Sequence, residues 1–507
     1  MAFWDRRKPV DMVAEIDPSH RLKATLSWPH LVALGVGAIV GTGIYTLIGV
    51  GAGLAGPAVI LSFVIAGVIC ICAGLAYAEM STMIPAAGSA YTYSYAVLGE
   101  MLAWVVGWSL MLEYTVVCSA VAVGWAGHVV PFIQAAGIPE VLLKGPEQGG
   151  LINLPAVIIC FVVAGLLLVG TRESANVNLV LVVIKVLALA AFVAIAAPHF
   201  DASHFTPFMP KGFEGHAADG TGLGVMGAAA IIFFAFYGFD AVATAAEETR
   251  NPARDLTIGI VGSMLICVAI YMGVAAAAIG AVRTEVFASH DAPLVYILEI
   301  LKQPVTAKVV AGAAVVALPT VILAFMYGQS RIFFVMARDG LLPSVFARLH
   351  KKFRTPWIGT LLLGSAIAVA AGLLPITILG DLVSLGTATA FAIVCISVMY
   401  LRSQRPDLER PFKVPGGGFW IGKAWIGVVP VLGILACGVL AYPLIADIII
   451  KATHGDAIPA ILLCSYLAIG AVIYLSYGLW NSRLAKGLDI LEVGQGPVDA
   501  IAHGVEK

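Results

Sequence analysis

The sequence predicts an all-α integral membrane protein with about twelve transmembrane helices, the first and the sixth of which are broken. Hydrophobic residues make up 60% of the 507 residues and charged residues only 12%, whereas soluble proteins carry about 25% charged residues. A soluble chain of this length would need far more charge to cover its surface. In addition, glycine-rich sequences interrupt two apolar segments at corresponding places in the two halves of the chain.

The apolar segments follow one another along nearly the whole chain. Each is long enough for a helix that crosses about 30 Å of hydrocarbon, which takes roughly 20 residues. The predicted spans are 28–50, 57–84, 101–131, 151–170, 176–197, 223–247, 257–281, 308–336, 357–374, 379–401, 426–450 and 458–480.

Lysine and arginine are unevenly distributed between the predicted loops. With the N-terminus in the cytoplasm, 22 of the 29 lie on the cytoplasmic side and six on the outer side, while Lys185 lies within the membrane. The positive-inside rule therefore predicts that both termini are cytoplasmic. We expect a multi-pass protein of the inner or plasma membrane.

The two interrupted segments are GVGAIVGTGIY, from Gly35 to Tyr45, and FFAFYGFDAV, from Phe233 to Val242. Unwound backbone within a bilayer is tolerated only where protein or a water-filled cavity satisfies its polar groups. If spans 1–5 and 6–10 are repeats, five crossings invert the second repeat relative to the first. A pair of broken helices in such repeats marks a transporter's substrate site; alternatively, the glycines only allow close helix packing.

This pattern predicts the organisation of the chain. It comprises a cytoplasmic N-terminal segment (1–27), a core of helices 1–10 (28–401), helices 11 and 12 (402–480) and a cytoplasmic tail (481–507). All eight cysteines fall within apolar spans, so we predict small buried packing residues and no structural disulfide. The histidines of the outer loop 198–222 are predicted to be ordinary loop residues, so neither a metal site nor a cofactor is expected.

Three stretches resemble the amino acid–polyamine–organocation (APC) transporter superfamily. They are LVALGVGAIVGTGIYTLIG in the first span, MIPAAGSAYTYSYAVLGE after the second, and FFAFYGFDAVATAAEETRNPARDLTIGI around the sixth. Among its branches, the match is closest to the cationic amino acid transporter family in its bacterial twelve-helix form. The resemblance implies the leucine-transporter-type 5+5 inverted repeat, and amino acid transport with protons or by exchange.

The family pattern places the substrate contacts at the two breaks. Free amides at the start of the second half of helix 1 suit a carboxylate, because that helix end carries positive partial charge. Carbonyl groups released at the breaks suit an ammonium group. The predicted substrate-binding residues are Ile39, Val40, Gly41, Thr42, Gly43, Ile44, Phe234, Ala235, Tyr237 and Gly238.

Lys185 is predicted to lie deep in the membrane. It follows Asn176, near the start of helix 5, by nine residues, which puts it roughly 14 Å along the helix. An intramembrane lysine usually marks an ion or substrate pathway. The resembling family carries a lysine here, where sodium-coupled relatives hold sodium, so we predict a cation mimic near Gly41 and sodium independence. The alternative is a snorkelling or packing lysine.

Two carboxylates are further candidates for coupling. Asp240, directly after the second break, either caps the following half-helix, titrates with transported protons, or does both. Glu113, in the middle of helix 3, either interacts with a cationic substrate or a transported proton, or pairs with another polar group in a structural role. The candidate pocket or gate residues are Phe236, Phe239, Met326 and Tyr327, with core packing as the alternative. Residues 247–254 form either an inner gate network or a solvated loop.

The predicted function is secondary active transport of amino acids by alternating access, coupled to protons and independent of sodium. An amino acid exchanger and a sodium symporter are the alternatives, although helix 8 has few hydroxyl groups before Ser330. No catalytic motif such as HExxH or GxSxG is present, so an enzyme is not predicted. The expected partners are the amino acid, protons and the bilayer, without nucleic acid; a small partner subunit stays open.

Overall fold

A computed structural model describes residues 6–8, 22–133, 138–146, 149–216, 222–288, 290, 292–374, 376–453 and 458–486. These residues form mainly helices, with two short β-hairpins, β1–β2 and β3–β4, in loops. The first seven helices are α1 (Trp28–Ile39), α2 (Thr42–Tyr45), α3 (Leu47–Ala55), α4 (Val59–Met83), α5 (Ala90–Val97), α6 (Glu100–Ile133) and α7 (Leu154–Val169).

The second part of the chain continues this pattern. It contains α8 (Thr171–Ala196), β1 (Gly215–His216), β2 (Gly222–Leu223), α9 (Gly224–Phe233), α10 (Phe239–Thr244), α11 (Pro252–Ala281), α12 (Thr284–Phe287), α13 (Pro293–Ile300), α14 (Pro304–Arg338), α15 (Trp357–Leu373), α16 (Ile376–Gln404), β3 (Gly418–Ile421), β4 (Ala424–Gly427), α17 (Val428–Thr453), α18 (Ile458–Ile473) and α19 (Leu479–Asn481).

The membrane prediction is confirmed. Among the described residues, eight helical segments are long and apolar enough to cross a membrane, and four shorter helices of 10–17 residues are also apolar. The predicted spans overlap these segments, but the segment Leu47–Met83 contains the end of the first predicted span together with the second, so the boundaries differ there. The chain is therefore a multi-pass membrane protein, while the count of twelve spans and the inverted repeat stay predictions.

Both predicted helix breaks are present. The first span is divided at Val40 and Gly41, between α1 and α2, and again at Thr46. The sixth is divided at Tyr237 and Gly238, between a 3-10 turn and α10. Gly238 has φ +121°, a backbone conformation that glycine adopts readily and residues with a side chain rarely adopt.

The cysteines are free, and seven of the eight are buried. The prediction that all are buried is wrong for Cys464, which is exposed. Cys464 lies on α18, within a segment of which only 11% is buried inside the protein. Such an outer helix exposes most of its apolar residues, and in a membrane protein that surface faces lipid.

Candidate functional site

The two helix breaks lie against each other at the centre of the molecule. A Cβ atom added to Gly43 would lie 2.3 Å from the Cβ of Ala235, and one added to Gly238 would lie 2.4 Å from the Cβ of Ala38. Each glycine thus allows the backbone of one broken helix to approach the other. Because real Cβ atoms do not come this close, alanine at either position would force the two breaks apart.

A tyrosine of α11 joins the two breaks. The hydroxyl of Tyr271 lies 2.7 Å from the carbonyl oxygen of Ile39 and 2.9 Å from that of Ala235. A hydroxyl has one proton, so it donates to one of these oxygens at a time. Carbonyl groups at both helix ends lack intrahelical partners, and this buried hydroxyl satisfies them in turn.

Lys185 approaches the first break from α8. Its ammonium donates to the carbonyl oxygens of Gly37 at 2.9 Å and Val40 at 2.6 Å, and to the hydroxyl oxygen of Thr320 on α14 at 2.8 Å. The side chain is fully buried. An ammonium has three donors, and all three have an oxygen partner here, between α1, α8 and α14. The snorkelling alternative is therefore not the arrangement that is observed.

A narrow cavity lies beside the breaks. Six of the ten predicted substrate-binding residues line it: Ile39, Gly41, Gly43, Phe234, Ala235 and Tyr237. Val40, Ile44 and Gly238 belong to the same breaks but not to the described lining, and the side chain of Thr42 lies outside the described residues. The remaining lining residues are Ala38, Val117, Val121, Val321 and Phe325, so every lining side chain is uncharged.

None of the four predicted pocket or gate residues lines this cavity: Phe236, Phe239, Met326 and Tyr327 all lie elsewhere. Phe236 packs edge-on against Tyr271, and Phe239 packs against Phe391, so both belong to the aromatic core rather than the cavity. The sulfur of Met326 lies 3.9 Å from the position of a Cβ on Gly364 of α15. The face of α14 that borders the cavity carries Val321 and Phe325, which are four residues apart, and Met326 is rotated away from it.

The two candidate carboxylates are both buried. Asp240 accepts a hydrogen bond from the hydroxyl of Tyr114, while its other carboxylate oxygen has no hydrogen-bond partner among the described residues. Both carboxylate oxygens of Glu113 are buried without a hydrogen bond that meets normal geometry. The hydroxyl of Thr387, on α16, interacts with the Glu113 carboxyl. Neither carboxylate lines the cavity.

Buried ion pairs join the segment after the second break to α14. The guanidinium of Arg331 binds both carboxylate oxygens of Glu248 at 3.1 Å, and Tyr327 also donates to Glu248. Arg338 binds Glu247 through two hydrogen bonds, at 3.0 and 2.6 Å. The two glutamates are therefore buried partners of α14, and the solvated-loop alternative does not describe them.

The pair of Arg338 and Glu247 is electrostatically favourable despite its burial. Burial by itself raises the pKa of the Glu247 carboxyl, but the Arg338 guanidinium, the backbone N–H of Ala87 and the Lys8 ammonium together hold that pKa below its ordinary value. A depressed carboxyl pKa contributes stability above the pKa of the unfolded chain. That contribution is lost as the pH falls through the folded-state pKa, so it is fully present at neutral pH.

Comparison with known proteins agrees with this geometry. An amino acid permease family model matches residues 26–472. The chain belongs to the amino acid permease family. The prediction of an APC-type transporter is thus confirmed, and the permease is a transporter rather than an enzyme.

The permease is similar to characterised proteins over most of its length. It is 40% identical to the branched-chain amino acid permease BcaP of Bacillus subtilis (strain 168), over 94% of this chain and 98% of that protein. It is 34% identical to the methylthioribose transporter of the same organism, over 96% and 100%. Identity to the vacuolar cationic amino acid transporter 2 of Arabidopsis thaliana is 38%, over 80% and 64%.

Sequence reasoning missed several residues of the permease site. Val117 and Val121 follow Glu113 at intervals of four residues on α6, so they share a helix face with the predicted carboxylate. The sequence around Tyr271 does not mark it as a site residue, because a tyrosine in an apolar helix is usually a core residue. Lys8 is also buried, and its ammonium donates to Asp339 at 2.8 Å, beside the ion-pair layer.

Proposed function

We propose that this permease is a secondary active amino acid transporter that works by alternating access across the cell membrane. The first ten of its twelve helices would form two inverted repeats of the leucine-transporter type, with both termini in the cytoplasm. The facing breaks support a substrate site near the bilayer midplane, where such transporters bind their cargo. The excess of lysine and arginine in the predicted inner loops supports the orientation.

The lining of the cavity supports a neutral amino acid with an apolar side chain as cargo. A cationic side chain would need an acidic partner there, because an unpaired buried charge costs several kcal/mol. All the lining side chains are uncharged, and the valines and phenylalanines suit an aliphatic group. A relative at 40% identity bears the name of a branched-chain amino acid permease, which agrees with this choice.

The charged ends of the amino acid have partners at the breaks. The amides of Thr42, Gly43 and Ile44 open α2 and suit the carboxylate. The carbonyl oxygens of Ile39 and Ala235 already accept from a tyrosine. Since each carbonyl oxygen has two lone pairs, both remain able to accept from a substrate ammonium.

Proton coupling without sodium rests on one observation, the contacts of Lys185. Two carbonyl oxygens and a hydroxyl converge on its ammonium. Oxygen atoms of these kinds are ligands for hard cations such as sodium, and the ammonium occupies the position that such an ion would take. A lysine that releases its proton during the cycle couples transport to protons, because its charge then changes beside α1.

Uptake by liposomes containing the purified permease tests this proposal. A panel of radiolabelled amino acids is measured with an inward proton gradient, with an inward sodium gradient, and with neither. We expect accumulation of aliphatic amino acids driven by protons alone. Sodium-driven uptake would contradict the role given to Lys185. Uptake of lysine or arginine only would contradict the proposal of a neutral amino acid as cargo. Uptake that requires internal amino acid would identify an exchanger.

The substitution Val117→Leu is expected to narrow the cavity. An extra methylene group in an apolar pocket changes discrimination by about tenfold or more. We therefore expect the KM for leucine to rise about tenfold relative to the KM for alanine, measured by proton-driven uptake. Val105→Leu on the same helix is the control, since Val105 is exposed. Equal changes in KM for both amino acids would show that Val117 does not contact the cargo side chain.

The substitutions Glu113→Gln and Asp240→Asn test whether the buried carboxylates carry protons. Each keeps the size of the side chain and removes its titration. If either carboxylate is protonated during the cycle, we expect proton-driven accumulation to disappear while exchange of internal for external amino acid continues. Glu214→Gln, on an exposed outer loop, is the control. If uptake by both variants keeps the pH dependence of the unmodified permease, both carboxylates have a structural role only.

A further inference from the structure

The loop between α16 and α17 carries an exposed apolar tip. It contains the hairpin of β3 and β4, in which Trp420 pairs with Trp425. Three consecutive residues of β3 are largely exposed: Phe419 at 54% and Ile421 at 62% lie on one face of the hairpin, and Trp420 at 53% lies on the other face, beside Trp425. Large apolar residues that cluster on a surface mark an interaction site, whereas isolated ones do not.

Contacts of β4 hold the hairpin to the rest of the protein. The ring of Trp425 is buried and lies under the guanidinium of Arg402 on α16, 4.2 Å from its centroid. The backbone N–H of Trp425 donates to the hydroxyl of Ser403 at 2.7 Å. A Cβ at Gly418 would lie 2.5 Å from the indole of Trp425, so glycine allows β3 to cross that ring.

A buried carboxylate fixes the rest of the loop. Glu79, on α4, accepts from the backbone N–H of Val414 at 2.7 Å and binds the guanidinium of Arg402. Arg410 lies 3.4 Å from the same carboxylate. These contacts join the loop to two helices, so its apolar tip is presented by a folded support.

The charge of the loop is positive. Residues 402–427 contain five lysines and arginines against two acidic residues. Arg402 and Arg410 belong to the Glu79 cluster, and Arg405 lies 3.6 Å from Asp407. The other two basic residues of the loop are Lys413 and Lys423, and both are exposed.

The tip lies close to the membrane surface. Gly427, the last residue of β4, directly precedes α17, whose first residues form an apolar helix. A four-residue strand is about 13 Å long, so the tip is at most about that far from the start of the apolar helix. Tryptophan is enriched at the level of lipid headgroups, and lysines near that surface attract anionic lipids.

We propose that residues 418–423 form an interfacial anchor, in which Phe419, Trp420 and Ile421 insert among lipid headgroups while Lys413 and Lys423 bind anionic lipids. The positive-inside distribution assigns this loop to the cytoplasmic leaflet, where anionic lipids attract basic segments. The anchor would fix the cytoplasmic ends of α16 and α17 relative to the bilayer. This inference does not depend on which amino acid is transported.

Tryptophan quenching in nanodiscs tests the anchor. The fluorescence of Trp420 is obtained as the difference between the unmodified permease and Trp420→Phe, with brominated phosphatidylcholine or brominated phosphatidylglycerol at equal mole fraction. We expect strong quenching by both lipids, and stronger quenching by phosphatidylglycerol. In the double variant Lys413→Gln/Lys423→Gln, the preference for phosphatidylglycerol should fall severalfold, since each lysine contributes about a fivefold attraction.

Lys351→Gln, at another exposed loop lysine, is the matched control and should keep the preference. Proton-driven uptake by each variant reports that the protein is folded. Quenching by acrylamide but by neither lipid would place the tip in water and overturn the proposal. Protection from acrylamide and from both lipids would show that another protein or a second copy covers the tip. Equal quenching by the two lipids, with no effect of the lysine variants, would overturn the anionic preference.

Discussion

Replacing Lys185 with alanine is expected to reduce proton-driven uptake to the level of empty liposomes. The ammonium holds the carbonyl groups of Gly37 and Val40 and the hydroxyl of Thr320, and no other cation at this place joins α8 to α1 among the described residues. Without the ammonium, the first break loses the contacts that hold it in position. No group remains there that could release a proton during the cycle. The measurement is the initial rate of amino acid uptake under an inward proton gradient.

The expected loss of stability is much smaller than the loss of transport. The carbonyl group of Gly37 keeps the Thr320 hydroxyl as a donor, whereas that of Val40 loses its Lys185 donor, which costs about 1–3 kcal/mol when water does not replace it. Against this, the variant no longer buries an ammonium, and the desolvation of a buried ion costs several kcal/mol. We therefore expect a modest change in melting temperature, so that failed folding and failed coupling are distinguishable.

Two further variants sharpen the interpretation of Lys185. Lys308→Ala removes an exposed lysine from α14 and should transport normally. Thr320→Val removes one of the three oxygen partners and should leave partial uptake. Full uptake by Lys185→Ala would contradict the coupling role, and sodium-stimulated uptake by the same variant would reveal that the vacated oxygen atoms accept sodium.

The parts of the site that sequence predicted are those with a local signature. Gly41 and Gly43 are poor helix residues, and their spacing locates the first break without knowledge of the fold. Lys185 is expensive in an apolar helix, so its need for oxygen partners is predictable. The breaks and the lysine were placed together by the resemblance of the surrounding motifs, and the geometry agrees with that placement.

The residues that sequence did not predict depend on helix rotation and on distant contacts. Met326 and Phe325 are adjacent in an apolar run, and only the packing of α14 against α6 and α15 decides which one faces the cavity. Tyr271 resembles any buried tyrosine until two separate breaks present their carbonyl groups to it. Lys8 and Asp339 are 331 residues apart, and no pattern in one sequence joins them.

Replacing Arg331 with methionine is expected to abolish transport and to destabilise the permease by about 3–5 kcal/mol, the usual cost of leaving one member of a buried ion pair alone. Glu248 would stay buried with its charge and lose both guanidinium hydrogen bonds. Arg331 also lies 3.8 Å from the centre of the Tyr327 ring, so that contact is lost as well. The measurements are thermal unfolding and proton-driven uptake; Arg254→Ala, at an exposed arginine of α11, is the control.

The double variant Arg331→Met/Glu248→Leu separates stability from gating. Replacing both members of a buried ion pair by apolar residues of similar volume is often neutral or stabilising, so the double variant should recover most of the stability that the single variant loses. The backbone carbonyl of Glu248, which accepts from Thr25 and Leu26, is unaffected. If the pair must open and close during the cycle, we expect transport to stay low despite the recovered stability. The reason is that an apolar contact does not separate into water as an ion pair does. Recovery of both properties together would instead assign the pair to the fold alone.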